Sequence, residues 1–494
     1  MPPLCDKKIE ETSFPQAYHI RRKVTVHRLT VGPASSVECL GGTKAMPNVV
    51  VLMSDEHNPR FSSVYGHPFV RTPNMERMAE RGVLFENAYC PSPLCVPSRA
   101  AFMTGKYVHE IQVYGNVVVN MGFDYPTYGS VLAREGVHTV HVGKVHVYNH
   151  PDTLGFSEML SGGEGFNVPS SATHGRTPLM VNTGSAKRAG GFGPRDDAFD
   201  RDLRRMDAAL GWLRTNAKTL GKPWTLCVNL IKPHFPHHVT PGLWEMYAGR
   251  GDLPADGVNT ETARHPYMRD LRRHFETDRF TEEQVRGLRR GYYGCVTFVD
   301  EQIGRILDAL DELGILDDTN VIYTTDHGEM LGRFGMWWKC SLLEDTVRVP
   351  LVATGPDFRA GATVRTPVDL FDVQAAMFRS VGVERPADWH GTPLQDVPAD
   401  DPERVVFSEY HAHGTRSGAF MVRRGDWKLI HYMAAPHQLF NLANDPEEMI
   451  NLYAVEPAKA AELEAGLRTI CSPEEENEKA HAFERRQLQV MGLA

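Results

Sequence analysis

The chain has little of what would tie it to a bilayer, a nucleic acid or a disulfide framework. No apolar run is long enough to cross a membrane, and the first residues, MPPLCDKKIEETSF, lack the apolar stretch of a signal peptide. Basic charge is not in excess. Lys and Arg number 53 against 62 Asp and Glu, and the net charge of −9 argues against nucleic acid or an anionic lipid surface as the main partner. Cysteine is sparse: the 8 residues Cys5, Cys39, Cys90, Cys95, Cys227, Cys295, Cys340 and Cys471 form no CxxC pair and no zinc spacing. In a chain of 494 residues that pattern fits reduced thiols and a cytoplasmic location better than a disulfide framework. Internal repeats and low-complexity segments are absent too.

What is present is a globular composition, 41% hydrophobic and 23% charged, in a chain long enough for a large α/β domain with a smaller partner. Residues 1–45, with Arg21-Arg22-Lys23 and a Gly-Gly at 41–42, read as an N-terminal extension ahead of a domain that begins near Met46. Four short apolar runs then read as buried parallel strands: Asn48–Met53, His138–Val142, Trp224–Ile231 and Asn320–Tyr323. Helical patterns lie between them. Thr72-Pro73 opens one that Gly82 should end. Leu203, Met206, Leu210 and Leu213 form an apolar face of another, and Val285 to Leu310 follow a long helical period that Gly314 could close. The expected fold is α/β, a large central mixed and mostly parallel sheet flanked by helices over residues 46–400. Residues 401–494 read as a C-terminal α+β subdomain and tail. There Ala419–Val422 and Trp427–His431 make a hairpin, and a charged helix or tail runs from Glu474.

The residues that follow each strand carry the chemistry. The runs end in Ser54-Asp55-Glu56-His57, Gly143-Lys144-Val145-His146, Lys232-Pro233-His234 and Asp326-His327-Gly328. Ligands of open α/β sheets bind at the carboxyl ends of the strands. One shared sheet would bring these carboxylates, lysines and histidines to one rim. Each residue alone reads equally well as a helix cap, a solvated lysine or a satisfied histidine. Four such clusters in succession favour a site. An acidic protein with an anionic substrate would need such a local basic pocket.

The sequence Cys95-Val96-Pro97-Ser98-Arg99 through Thr104-Gly105 resembles the modification motif of the sulfatase family, Cys-x-Pro-x-Arg followed by a short helix and Thr-Gly. Proline suits a first helical turn and Gly105 a helix stop. A buried structural cysteine, or a disulfide with Cys90, is the competing reading. The resemblance runs from about Met46 to about Tyr453 and takes in PNVVVLMSDEH, GKVH, KPH, TTDHGEMLG, GMWWK and the C-terminal RRGDWKL segment. Within the family, SPLCVPSR, Asp326-His327 and WWK look most like the choline-sulfatase and phosphonate monoester hydrolase branch. Two departures stand out: Asp55-Glu56 where many sulfatases have paired Asp, and Asp326-His327 where many have Asp-Asn.

The resemblance implies that Cys95 becomes formylglycine, made by a formylglycine-generating enzyme, beside a divalent metal held by Asp55, residue 95, Asp326 and His327. Carboxylate and formylglycine oxygens suit Ca²⁺ or Mg²⁺, and an imidazole nitrogen moves the balance toward Mn²⁺; Ca²⁺ is favoured. Arg99, Lys144 and Lys339 would add positive charge, and Asn116 a neutral donor to the substrate. One hydroxyl of the hydrated aldehyde would attack, and proton loss from the other would re-form the aldehyde. His234 is the candidate acid for the departing alcohol, Lys339 the alternative, and His146 would orient the hydroxyls. The implied reaction is hydrolysis of a small alkyl or aryl sulfate. A phosphonate monoester or phosphodiester hydrolase would use the same residues, and a non-catalytic binding protein would be expected to lose one of them. The same branch implies a homo-oligomer. Trp337 and Trp338, beside Lys339, could be a cage for a quaternary ammonium or simply core.

Overall fold

The computed structural model describes residues 46–116, 125–147, 153–161, 179–182 and 184–490. The N-terminal extension, with Cys5 and Cys39, lies outside the described residues, and the chain from Met46 onward forms one compact unit. In chain order the strands are β1 (Asn48–Asp55), β2 (Gly82–Tyr89), β3 (His138–Gly143), β4 (Glu158–Leu160), β5 (Phe192–Pro194), β6 (Trp224–Pro233), β7 (His237–Val239), β8 (Thr319–Thr325), β9 (Arg348–Thr354), β10 (Ala362–Val364) and β11 (Val368–Asp369). They continue with β12 (Val405–Tyr410), β13 (Ala419–Arg424), β14 (Trp427–Tyr432) and β15 (Gln438–Asn441).

Among the described residues a 9-stranded sheet has the order β10-β2-β9-β8-β1-β6-β3-β4, with β11 also paired to β2. The pairings of β1 with β6 and β8, and of β3 with β6 and β4, are parallel. β9 runs against both of its neighbours, β2 and β8. All four strands expected from the sequence are therefore present and aligned, and their carboxyl ends share one rim. β1 shows why the runs are apolar throughout. Val49, Val51 and Met53 pack into one core while Val50 and Leu52 pack into the other, because successive side chains point to opposite faces and both faces are covered.

The second core is roofed by the helices Asp200–Asn216 and Glu282–Glu312. The longer one starts at a capping box: Gln284 N–H donates to the Thr281 hydroxyl, and Thr281 N–H to the Gln284 amide oxygen. In the shorter one Met206, Leu210 and Leu213 are buried as the period predicts, but Leu203 is 37% exposed. That turn is anchored instead by Asp202, which pairs with Arg205 and accepts the N–H groups of Ile231 and Lys232. A charged pair thus occupies the place expected for an apolar residue. Helix α1 (Pro73–Arg81) stops at Gly82 as expected, for a reason the sequence hides. A Cβ there would lie 2.0 Å from the Ala353 carbonyl oxygen, so only glycine lets β2 start against β9.

The antiparallel sheet β12-β13-β14-β15 contains the expected hairpin. Phe407, Phe420, Leu429 and Leu439 on it pack against Leu463 and Leu467 of the helix Pro457–Ile470. The charged C-terminal stretch is a further helix, Pro473–Val490. No helix among the described residues is long and apolar enough to cross a membrane.

Candidate functional site

Helix α2 (Cys95–Thr104) leads the site, and every one of its residues is buried. Cys95 is its first residue. Pro97 sits in the first turn, where an N–H would have no helical partner in any case. The N–H of Val96 donates to the Asn116 side-chain oxygen at 3.0 Å, so Asn116 stands at the start of this helix and caps it. Gly105, at φ 64°, ends the helix. A Cβ there would meet the Trp389 ring at 2.7 Å. Cys90 and Cys95 are both free thiols, which removes the disulfide reading.

The rim residues converge on the Cys95 sulfur. Lys339 Nζ is 3.0 Å from it and His327 Nε2 3.2 Å, Asp55 Oδ1 is 3.9 Å away, and His146 is hydrogen-bonded to it. Asp55 is paired to Lys144 through its other oxygen. His327 Nε2 lies 3.7 Å from Asp55 Oδ1 and 3.7 Å from Asp326 Oδ1. The ligand atoms of Asp55, Cys95, Asp326 and His327 all fall within 4.8 Å of one another, and all four residues are buried. His327 Nδ1 is 3.0 Å from the Gly328 carbonyl. A proton on Nδ1 leaves the Nε2 lone pair facing the carboxylates, which is how a metal-ligating histidine is held.

Arg99 follows Cys95 by one helical turn. Its guanidinium donates to Asp326 Oδ2 at 2.7 Å, to the Asn229 side-chain oxygen at 2.9 Å and to the Ser54 carbonyl at 3.2 Å. It therefore acts on the centre by fixing the carboxylates. His234 Nδ1 is 2.7 Å from the Phe235 carbonyl oxygen, and its Nε2 is 3.3 Å from Glu56. Glu56 also lies 3.4 Å from Lys339. The segment that delivers Lys339 is clasped by main-chain groups: Glu329 Oε1 accepts the N–H groups of Leu331 and Trp338, and Met330 N–H donates to the Trp338 carbonyl. Strained backbone gathers here, with positive φ at Glu56, His146, Trp338 and Cys340.

Opposed charges set the protonation states. Burial resists a charge on Cys95, yet Lys144, Lys339 and His327 bring its thiol well below the usual range. Burial and the Cys95 charge oppose ionisation of Asp55, and Lys144, His234 and Arg99 outweigh them. Burial would keep His327 neutral, but Asp326 carries it up to about 9: the carboxylates favour a cation at Nε2, a place a proton or a metal ion would fill in competition. Burial pushes Glu56 up to about 7.

Cys95, Arg99, Lys144, His146, His234, Lys339, Asp55, Asp326 and His327 are thus brought together. Lys232 is not, because its ammonium is tied to the carbonyls of Pro236 and His238. His57 is satisfied inside the core by Tyr323 and Ser62. Trp337 and Trp338 are both buried, so neither forms an open cage. Sequence reasoning missed Asn229, a lone amide in an otherwise apolar strand, Glu329, and the pairing role of Glu56.

Cations and ionised donors converging on the first residue of a buried helix are suited to attack on an ester that is itself an anion. That site, at the carboxyl rim of this sheet, defines the alkaline-phosphatase-like class of α/β hydrolases. The chain belongs to the sulfatase family, and so to the sulfuric ester hydrolases: residues 47–383 match the family model described as Sulfatase. Residues 332–471 match the one described as N-sulphoglucosamine sulphohydrolase, C-terminal. A choline-sulfatase of Rhizobium meliloti (strain 1021) is 31% identical over 438 residues, covering 83% of each chain. Arylsulfatase K of Danio rerio is 28% identical over 90% of this chain and 87% of its own. The phosphonate monoester hydrolase of Agrobacterium radiobacter superposes with a TM-score of 0.69 at 22% identity, over 86% of this chain and 95% of that one, a likeness of fold.

Proposed function

We propose that the protein hydrolyses a small alkyl or aryl sulfate ester, with formylglycine at position 95 and a divalent cation, Ca²⁺ first, held by Asp55, residue 95, Asp326 and His327. The observation that carries this reading is the Cys95 sulfur, 3.0 Å from Lys339 Nζ and 3.2 Å from His327 Nε2, within a buried carboxylate and imidazole set. The donor set fits a hard or borderline cation, because two carboxylates and an oriented imidazole nitrogen converge with no competing thiolate once residue 95 carries oxygen. When bound, the cation supplies charge to a nonbridging ester oxygen, and the hydrated aldehyde supplies two hydroxyls on one carbon.

The chain's own residues do the rest. Lys144 and Lys339 neutralise an incoming anion from two sides, and Arg99 keeps both carboxylates in place. His146 holds a proton at the side chain of residue 95. His234, whose side chain is 18% exposed, is the candidate donor to the departing alcohol, with Lys339 as the alternative. The six described cysteines, all free thiols, support a reducing compartment such as the cytoplasm. The retention of Cys95, Arg99, Asp55 and Asp326 weighs against a purely binding role. Phosphonate monoesters and phosphodiesters present the same tetrahedral anion, so an aryl phosphonate monoester belongs in the assay beside the aryl sulfate. The family branch also supports a homo-oligomer.

The test is tandem mass spectrometry of the tryptic peptide Gly82–Arg99 from protein co-expressed with a formylglycine-generating enzyme. The aldehyde mass is expected at residue 95 and not at Cys90, with activity lost to a chelator and restored by Ca²⁺. An unmodified thiol in a protein that still hydrolyses the sulfate would overturn the mechanism.

A further inference from the structure

We propose that Arg188 binds a second anionic group on the substrate, so that the alcohol released from the sulfate carries its own carboxylate or sulfate. This deepens the sulfate-ester reading and rests on it.

Arg188 lies in the short helix Ser185–Ala189. Its guanidinium carbon is 4.5 Å from the centroid of the Phe235 ring and 5.0 Å from that of Trp338. Both rings belong to the segments that carry the candidate acids. Phe235 stacks on His234 with centroids 4.0 Å apart, and Lys339, next to Trp338, has its Nζ 5.6 Å from the Phe235 centroid. Arg188 thus sits on the aromatic pair beside the point where an alcohol would leave.

Among the described residues no carboxylate lies within ion-pair distance of the Arg188 guanidinium, and none of its N–H groups makes a hydrogen bond. Arg188 is partly exposed, whereas the more enclosed Arg99, Arg289 and Arg333 are each paired to an aspartate at 2.6–2.7 Å. A guanidinium offers five donors in a planar fork matched to a carboxylate or sulfate. Stacking on rings restrains that fork and leaves its N–H edge free. Burial lowers the basicity of Arg188, and Glu56 and Cys95 act on it in the opposite sense, which places its charge within the field of the site. An arriving oxyanion would supply the missing partner. A quaternary ammonium would instead find these aromatic faces already carrying a cation, so the arrangement selects against a cationic alcohol.

The test compares 3-carboxyphenyl sulfate with its carboxamide analogue, with 1,3-phenylene disulfate and with choline sulfate, using formylglycine-bearing wild type, Arg188→Gln and Arg188→Lys. The wild type should favour the carboxylate over the carboxamide by about tenfold or more in kcat/KM, chiefly through KM. Arg188→Gln should bring that ratio near one, and Arg188→Lys should keep part of it. The disulfate arm separates a sulfate from a carboxylate as the recognised group. A wild-type ratio near one, a ratio that survives in Arg188→Gln, or a preference for choline sulfate overturns the proposal. If no sulfate is turned over, the sulfate-ester reading fails, and Arg188 is judged by calorimetric binding of 3-hydroxybenzoate. Arg188→Gln should weaken that binding about tenfold; equal or absent binding in wild type and variant overturns the proposal.

Discussion

Two clusters of buried charge can be compared within this molecule. Around Cys95, three cationic side chains and two carboxylates point inward to one place. Around Lys428, charges close on one another. Lys428 Nζ reaches Glu344 at 2.9 Å and Glu448 at 2.8 Å, Tyr89 donates to the second Glu344 oxygen at 2.8 Å, and Glu344 N–H donates to Glu448 at 2.8 Å. That second cluster joins β2 and the short helix Glu344–Val347, which leads into β9, to the C-terminal sheet through Arg423 and Lys428. A closed network destabilises the protein when broken, because the surviving charge is left buried and unpaired. A convergent one leaves a demand for a ligand. Burial is similar in the two; the difference lies in where the charges point.

Substitutions should separate the two kinds. The largest effect is expected at the convergent cluster. Cys95→Ala and Asp326→Ala should lower aryl sulfate turnover by roughly 10³-fold or more, and Lys339→Ala by about 10²–10³-fold with formylglycine intact. The melting temperature should change little in Cys95→Ala, whereas Asp326→Ala also strips the buried Arg99 of its carboxylate and should lower it; near-normal turnover in Asp326→Ala or Lys339→Ala would remove that residue's assigned role. Lys428→Met should do the reverse, costing about 3–5 kcal/mol in urea unfolding while the folded fraction keeps its kcat. An unmoved unfolding midpoint would mean that the closed cluster is not structural.

The pH dependence sharpens the contrast further. Burial opposes ionisation of Glu344, but Lys428, Arg423 and Arg348 hold it down to about 2 from 4.5. A carboxyl depressed in the folded state stabilises it above the unfolded value, and that contribution is lost as pH falls from 4.5 through 2. The gap in melting temperature between wild type and Glu344→Gln should therefore be widest above pH 5 and narrow on acidification; a constant gap would contradict the assignment. The smallest effect is expected at the edge of the site. Asn116→Ala removes the cap on Val96 N–H and should cost about 1 kcal/mol of stability, which chemical denaturation can resolve.

Much of the site was legible because each parallel strand ends in its functional residue, so an apolar run followed by Asp, Lys or His locates the rim. The Cys95–Gly105 motif gave the helix, its proline turn and its stop together. What escaped the sequence depends on contacts between distant residues. Asn229 matters through Arg99, far away in the chain, and local reading saw only an amide in a hydrophobic strand. Lys232 stands near the carboxyl end of a rim strand as Lys144 does, yet its side chain folds back to main-chain carbonyls. Leu203 fits the helical period, but the pair Asp202–Arg205 takes the buried position in that turn. Arg188 lies in an ordinary five-residue helix, and only the rings beneath it set it apart.

The burial of α2 imposes an order in time. Cys95 is 1% exposed, and the helix it begins is enclosed throughout. A separate enzyme could not reach that sulfur in the finished fold. The oxidation proposed for residue 95 therefore requires a segment that is still extended, during or soon after synthesis, and closure of the sheet around it would end the opportunity. A chain that folds first keeps its thiol, and later exposure to the modifying enzyme would not repair it without unfolding.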